Sequence, residues 1–316
     1  MRRRRSALVA LGAAVALSTA ILGGGAATAT ARPLDTVSVI SAPFEPVALA
    51  FYADARGFFR KHGIDADVKA VEPGTVGATI ASGGATFGAS DVGGFLNSKA
   101  RGGPVKLVAA SGLYMPQAPT AALVAAPGQR ITSARDLIGK RVAVDRVGTI
   151  AYVALLKWLK QGGVRVEDVQ LRYHPFPDLI GPLTQGAIDA GVLPEPWLTQ
   201  ARQQGATVAA RIFASVCPKA CLWTLWFARS DVDRTLAARF RLAIQEAAAW
   251  ANRKESVPAI DAILARETKL LPSVIRDMTH SRFATRLRVH RAAPWIDAYK
   301  ELQLIPPTFT AHDLLR

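Results

Sequence analysis

Short apolar or β-branched runs alternate with segments of helical periodicity along most of this chain. The runs Thr36–Ile40, Val105–Ala110 and Leu222–Ala228 are typical of strands, whereas residues 46–62 and 232–251 have the apolar spacing of helices. Further predicted strands cover residues 66–70, 85–89, 121–125, 141–145, 169–173 and 188–192. Because strands that alternate with helices build sheets covered by those helices, the sequence predicts an α/β fold.

The pattern restarts after residue 117, which indicates two α/β units. Without residues 1–31 the chain has about 285 residues, and one domain typically takes up roughly 150. We therefore predict two lobes, with residues 32–117 and 229–316 in lobe 1 and residues 118–228 in lobe 2.

The first 31 residues have the composition of a signal peptide. Consecutive arginines at residues 2–5 precede an uncharged apolar segment at residues 7–22, and the Ala-Thr-Ala sequences at residues 27–31 fit the rule for signal-peptidase cleavage. The apolar segment is shorter than a membrane-spanning helix requires, and no cysteine near it offers a lipid attachment point. We expect a periplasmic or secreted protein, exported by either the general or the twin-arginine route.

The net charge of +15 comes from lysines and arginines spread along the whole chain. No base-stacking aromatic motif lies among them, so nucleic-acid binding is not expected. The chain has two cysteines, Cys217 and Cys221. An oxidising compartment favours a disulfide between them over a redox or metal pair, which would need further ligands nearby.

Several segments, in this order, resemble a known family. They are FYADARGFFRKHG at residues 51–63, EPGTVGATIASGGATFGASD at 72–91, ITSARDLIGKRVAV at 131–144, GGVRVEDVQL at 162–171 and LTQGAIDAGVLPEPW at 183–197. These segments are similar to the sulfonate, nitrate and taurine substrate-binding proteins of ABC importers, a group that includes binders of pyrimidine precursors. The resemblance implies a periplasmic-binding-protein type II fold of two lobes, with the second lobe inserted into the first and a ligand cleft between them. It also implies hinge closure, and we expect a monomer whose partners are a small solute and an ABC permease.

Three predicted strand-to-helix junctions carry glycine and small polar residues that suit a ligand site. They contain Gly74 and Thr75, Ser90 and Asp91, and Gly148 and Thr149. In α/β folds ligands bind beyond the carboxyl ends of the strands, where the free N–H groups of a helix can hold an anionic oxygen. The alternative for Asp91 and Thr149 is a capping role alone.

The family resemblance and the two crossovers between lobes add further candidates for ligand contact. They are Phe44, Glu45, Tyr114, Met115, Glu195, Trp197 and Trp223. The ring of Trp197 can either stack on a planar ligand or pack between the lobes. Trp223 and Trp226 alternate with apolar neighbours on a predicted strand, so one of the two is expected to face the cleft. Sulfonates, taurine-like amines, nitrate or bicarbonate, pyrimidines and aromatic acids all stay open as ligands.

Two enzyme types share this architecture. The aromatic sulfinate desulfinases need a nucleophilic cysteine in the first-lobe cleft, and the fungal pyrimidine synthases need a cysteine-rich loop with a reactive histidine. This chain has no cysteine before residue 217, no H-E-x-x-H metal motif and no phosphate-binding loop. We therefore predict a protein that is not an enzyme and needs no cofactor or metal, with transport and ligand sensing as alternative uses of one cleft.

Overall fold

The structure, a computed structural model, describes residues 33–268 and 270–316. The predicted signal peptide at residues 1–31 lies outside the described residues. Residues Pro33–Arg316 form one compact unit. Within the described ranges, no helix has the length and apolarity that crossing a bilayer requires.

The described part of the chain contains thirteen strands. They are β1 (Asp35–Ser41), β2 (Ile64–Ala70), β3 (Phe87–Asp91), β4 (Val105–Ala110), β5 (Gly112–Tyr114), β6 (Ala121–Ala125), β7 (Arg141–Val144), β8 (Gln170–Tyr173), β9 (Ala190–Pro194), β10 (Thr207–Ala210), β11 (Cys221–Leu222), β12 (Thr224–Arg229) and β13 (Arg282–Phe283).

Eleven α-helices lie in the same ranges. They are α1 (Leu49–Ala55), α2 (Phe58–Lys61), α3 (Val76–Ala81), α4 (Val92–Ala100), α5 (Ile150–Gln161), α6 (Phe176–Thr184), α7 (Trp197–Gln203), α8 (Arg234–Ala251), α9 (Val257–Thr268), α10 (Pro272–Asp277) and α11 (Ala293–Glu301).

The first five-stranded sheet forms the centre of lobe 1, with the strand order β2-β1-β3-β12-β4. β1 runs parallel to β2 and β3, whereas β12 runs antiparallel to β3 and β4. Phe87 of β3 stacks on Phe240 of α8, with ring centroids 3.8 Å apart, and both side chains are fully buried. This contact joins the sheet to its long covering helix through apolar surface removed from water.

The second five-stranded sheet forms the centre of lobe 2, with the strand order β10-β6-β9-β7-β8. β7 runs parallel to β8 and β9, and β6 runs antiparallel to β9 and β10. Helix α5 follows β7 and buries Ile150, Val153 and Ala154, which share one face because they are three and four residues apart. The order of strands and helices therefore gives each lobe the predicted α/β architecture.

A three-stranded antiparallel sheet, β11-β5-β13, contains both connections between the lobes. β5 follows the last strand that lobe 1 contributes before the chain enters lobe 2, and β11 precedes the return. Cys217 and Cys221 form a disulfide beside this return, with their Cα atoms 5.9 Å apart. The lobe boundaries stay a prediction; β12, most of which that prediction assigns to lobe 2, pairs with β3 and β4 of the first sheet.

Most strands predicted from the sequence are present within one or two residues, and the departures have local causes. The predicted helix at residues 46–62 is divided into a 3-10 turn, α1 and α2, because Gly57 between the two α-helices has φ of +71°. The helix predicted at residues 180–185 begins earlier, at Phe176. The predicted strand at residues 222–228 is two strands, β11 and β12, which lie in different sheets.

Candidate functional site

A cavity of about 390 Å³ lies where the carboxyl ends of strands from the two sheets meet. Lobe 1 contributes Pro43 after β1 and Val71 after β2, and lobe 2 contributes Arg146 after β7, Phe176 after β8 and Trp197 after β9. Small-molecule sites typically have volumes of roughly 300–1,000 Å³ and lie at such junctions. The cavity therefore has both the size and the position of a small-molecule site.

Aromatic rings form much of one wall of this cavity. The ring of Trp197 lies between Phe44 and Phe176, with centroid distances of 5.4 Å and 5.2 Å. Trp197 is 7% exposed and stands in the first turn of α7, which follows β9 of lobe 2. The wall can cover one face of a flat ligand, and its contact with Phe44 also joins the two lobes.

A carboxylate and a guanidinium lie together at the end of β7. The Thr149 hydroxyl lies 2.7 Å from Asp145 Oδ1, to which it donates, and it accepts the Tyr152 N–H at 3.3 Å, which caps α5. Arg146 Nη1 lies 3.8 Å from Asp145 Oδ2, which is too far for a hydrogen bond. Burial raises the pKa of Asp145 to about 6, although the hydrogen bond from Thr149 acts in the opposite direction.

Asp91 supplies a second carboxylate from lobe 1. It begins α4 and accepts the Gly94 N–H at 2.6 Å. Burial raises the pKa of Asp91, and the nearby Arg146 partly opposes that rise. Asp91 also lines a small space of about 20 Å³, which shares Phe176 with the larger cavity and contains Trp223 in its wall. The predicted residues Asp91 and Trp223 therefore lie beside the cavity.

The carbonyl of Gly148 links the second-lobe junction to two other elements. It accepts a hydrogen bond from Asn97 Nδ2 of α4 at 2.8 Å and one from the Tyr299 hydroxyl of α11 at 2.7 Å. Gly148 has φ of +79°, a conformation that favours glycine. Gly93 is needed for the same contact, since a Cβ there would lie 1.8 Å from the Tyr299 hydroxyl oxygen.

Glu45 and Glu195 were predicted to contact ligand, and the structure places both outside the cavity lining. Ser281 N–H donates to Glu45 Oε2 at 2.7 Å, and His280 Nδ1 lies 2.8 Å from Glu45 Oε1. Glu195 accepts from the Thr199 N–H at 3.0 Å and from the Thr279 N–H at 3.2 Å. Both carboxylates are 1% exposed. They hold the segment Thr279–Ser281 to the ends of β1 and β9.

Three of the other predicted residues also lie outside the cavity lining. Tyr114 is fully buried and packs on Phe213 and Trp223, and Met115 is partly buried against the core. Ser90 donates from its hydroxyl to the Asp91 carbonyl at 2.8 Å and lines an adjoining groove, which shares Pro73 and Arg146 with the cavity. This groove has a volume of about 440 Å³.

The first-lobe junction at Pro73–Thr75 lies at the edge of the site. Gly74 lines the same adjoining groove as Ser90, and a Cβ on Gly74 would lie 3.3 Å from Arg146 Nη1. The Thr75 hydroxyl donates to the Glu72 carbonyl at 2.8 Å. The polar atom of Thr75 is thus used within its own turn.

Phe176 and Asp145 line the cavity but were not among the residues predicted from the sequence. Phe176 stands between Pro175 and Pro177 directly after β8, the position that a ligand-contacting residue takes in an α/β sheet. Asp145 ends the predicted strand before Gly148, so the same positional argument could have identified it. What the sequence could not provide was the packing that brings Asp145 close to Asp91 of the other lobe.

The sequence model of the NMT1/THI5-like family matches residues 46–254, about two thirds of the chain. No curated protein matches the sequence.

Solved structures share the fold at low sequence identity. The periplasmic aliphatic sulphonate binding protein of Escherichia coli aligns with a TM-score of 0.73 at 16% identity, over 89% of this chain and 92% of that chain. The alkanesulfonate-binding protein of Xanthomonas axonopodis pv. citri, bound to MOPS, aligns with a TM-score of 0.73 at 14% identity, over 90% and 99%. A cysteine-to-serine mutant of a desulfurization enzyme, in complex with biphenyl-2-sulfinic acid, aligns with a TM-score of 0.63 at 18% identity, over 85% and 92%. These matches confirm the predicted two-lobe type II fold.

Proposed function

This chain belongs to the NMT1/THI5-like family, and on that basis we propose that it is the extracytoplasmic solute-binding protein of an ABC importer. The solute binds in the cavity between the lobes, and the loaded protein delivers it to a permease in the cytoplasmic membrane. The signal peptide predicted at residues 1–31 supports export to that compartment.

The cavity is the observation that carries this proposal. Its lining comes from the carboxyl ends of strands in both sheets, so a bound solute would touch both lobes at once. A ligand that contacts two lobes favours the state in which they are together, because that state alone offers the full set of contacts. The sheet β11-β5-β13, which carries both connections, is where we place the hinge for this closure.

Two contacts across the cleft support the same mechanism. The Asn97 amide of lobe 1 reaches the Gly148 carbonyl of lobe 2, and Phe44 of lobe 1 packs on Trp197 of lobe 2. One hydrogen bond and one aromatic pair each contribute about 0.5–1.5 kcal/mol. Contacts of this size can be broken and remade as solute enters and leaves.

An enzyme with a cysteine nucleophile is the alternative that the desulfurization-enzyme fold suggests. A thiolate is the reacting form of cysteine. Both cysteines of this chain, Cys217 and Cys221, are joined in a disulfide, and neither lines the cavity. The chain therefore has no thiol for such a reaction, which favours binding over catalysis.

The test is thermal unfolding of the purified protein in the presence of alkanesulfonates, taurine, nitrate, aromatic acids and aromatic amines. A solute at 100 times its dissociation constant stabilises the fold by about 2.7 kcal/mol, which raises the melting temperature by several degrees. We expect one chemical class to do so. No shift with any class would contradict a binding function.

The variant Trp197→Ala locates the site. It removes the ring that covers the cavity and is expected to weaken binding at least tenfold, or about 1.4 kcal/mol. The matched control is Trp250→Ala, because Trp250 lies on α8 against Tyr52 and Arg56, away from the cavity. Equal losses of affinity in the two variants would contradict the assignment of this cavity.

A further inference from the structure

We infer that the solute is a flat aromatic molecule bearing a positively charged nitrogen, an inference that rests on the proposed binding function. The cavity combines an aromatic wall with carboxylates that outnumber the cations beside them, and both features favour such a solute. Identities of 14% and 16% to the sulphonate-binding structures carry the fold alone. The solute that this cavity selects depends on the residues of this chain.

The aromatic wall selects a flat occupant. The rings of Trp197 and Phe176 are inclined by 31° to each other, with both residues lining the cavity. Pro43, Val71 and Pro175 complete an apolar surround. The face of a tryptophan ring carries negative charge density and attracts cations, so this wall favours an aromatic cation over an aromatic anion.

Asp145 provides the charge that such a cation would meet. Its side chain is 8% exposed and lines the cavity. The Thr149 hydroxyl donates to Oδ1, the Arg146 backbone N–H also donates to the carboxylate, and the nearest guanidinium nitrogen stands 3.8 Å from Oδ2. Each carboxylate oxygen can accept two hydrogen bonds, so a protonated nitrogen in the cavity could still donate to Oδ2.

The balance of charge around the cavity is negative. Asp145 and the exposed Glu72 line it, together with Arg146; Asp91 lies in one adjoining space and Arg101 in the adjoining groove, which gives three carboxylates against two guanidinium groups. Arg146 acts on both aspartates and its side chain is 40% exposed, so much of its charge faces solvent. A sulfonate placed here would meet more carboxylates than cations, and such like-charge contact is unfavourable.

The protonation of Asp145 gives a second signature. Asp91, Arg146 and the Tyr299 hydroxyl are the ionisable groups that interact with it, and burial holds its pKa at about 6. Because a cationic ligand binds the ionised carboxylate better, its affinity should rise as pH increases from 5 to 7. An anionic ligand would show the opposite trend.

The test uses three probes that share a benzene ring and differ in charge, with calorimetric titration of the full protein as the measurement. Benzamidinium is cationic, benzyl alcohol is neutral and benzenesulfonate is anionic. We expect benzamidinium to bind at least tenfold more tightly than benzenesulfonate, with affinity that increases from pH 5 to pH 7. Tighter binding of benzenesulfonate would overturn the inference and leave the proposed function intact, whereas binding of no probe and of no aliphatic sulfonate would contradict both.

A matched pair of variants separates the local carboxylate from overall charge. Asp145→Asn should reduce benzamidinium affinity at least tenfold while changing benzyl alcohol affinity by less than threefold, because the neutral probe does not need the charge. Asp178→Asn makes the same charge change at an exposed position of the same lobe, outside the cavity lining. Equal effects of the two variants on benzamidinium, or none from Asp145→Asn, would refute the role of Asp145.

Discussion

Replacement of Glu195 by alanine tests whether this residue belongs to the framework of the cleft. Its carboxylate accepts from Thr199 N–H at 3.0 Å, from the Thr199 hydroxyl at 3.0 Å and from Thr279 N–H at 3.2 Å, and Glu195 is 1% exposed. Alanine would leave two backbone N–H groups without an acceptor in a buried site. At about 1–3 kcal/mol for each unsatisfied donor, the free energy of unfolding should fall by about 2–6 kcal/mol.

The assay for Glu195→Ala is urea unfolding at pH 7, compared with the parent protein. The control is Glu255→Ala, since Glu255 is exposed and a surface substitution changes stability by less than about 0.5 kcal/mol. Glu195→Gln should lose less than Glu195→Ala, because its amide oxygen still accepts one N–H. A loss below 1 kcal/mol for Glu195→Ala, or one equal to the control, would refute the framework role.

Two further predictions concern the closure contact and the segment Thr279–Ser281. Gly93→Ala should destabilise the protein by about 1–3 kcal/mol in urea unfolding, because its Cβ would lie 1.8 Å from the Tyr299 hydroxyl oxygen. The control Gly181→Ala has open space at its Cβ and should be neutral or slightly stabilising. Equal losses of stability in the two variants would contradict the steric argument. Burial alone would lower the pKa of His280, but its hydrogen bond to Glu45 and the neighbouring carboxylates raise that pKa overall. The protonated His280 therefore stabilises the folded protein fully below the unfolded pKa of about 6.5, and this contribution is lost as pH rises through the raised pKa of the folded state. Glu45→Gln should therefore destabilise the protein more at pH 6 than at pH 8.5, and a pH-independent loss would show that the histidine charge contributes nothing.

The fold was largely predictable because its signals are local. The runs that became β1, β4 and β6 have the composition of strands, and the Gly-Thr sequence before α5 marks a helix start that the Thr149 hydroxyl does cap. The family resemblance predicted Trp197 as a ligand contact, and its ring lines the cavity. Strand-end positions and the family resemblance therefore gave the predicted residues that line or adjoin the cavity.

The departures come from contacts between distant parts of the chain. Glu45 and Glu195 also follow strands, so by position alone they resemble ligand contacts. Their carboxylates instead accept hydrogen bonds from the segment Thr279–Ser281, and Ser281 is 236 residues from Glu45 along the chain. No local pattern announces that segment as their partner. The approach of Asp91 to Asp145 likewise depends on how the two lobes pack, since neither strand pairs with the other.

Binding without chemical change is tested by calorimetric titration of the purified protein with its stabilising solute, followed by mass spectrometry of the solute recovered after prolonged incubation. We expect one solute bound per chain, at least tenfold weaker binding in Trp197→Ala, and recovery of the solute chemically unchanged. A solute that is consumed with accumulation of a product would contradict this expectation, and so would binding that Trp197→Ala leaves intact.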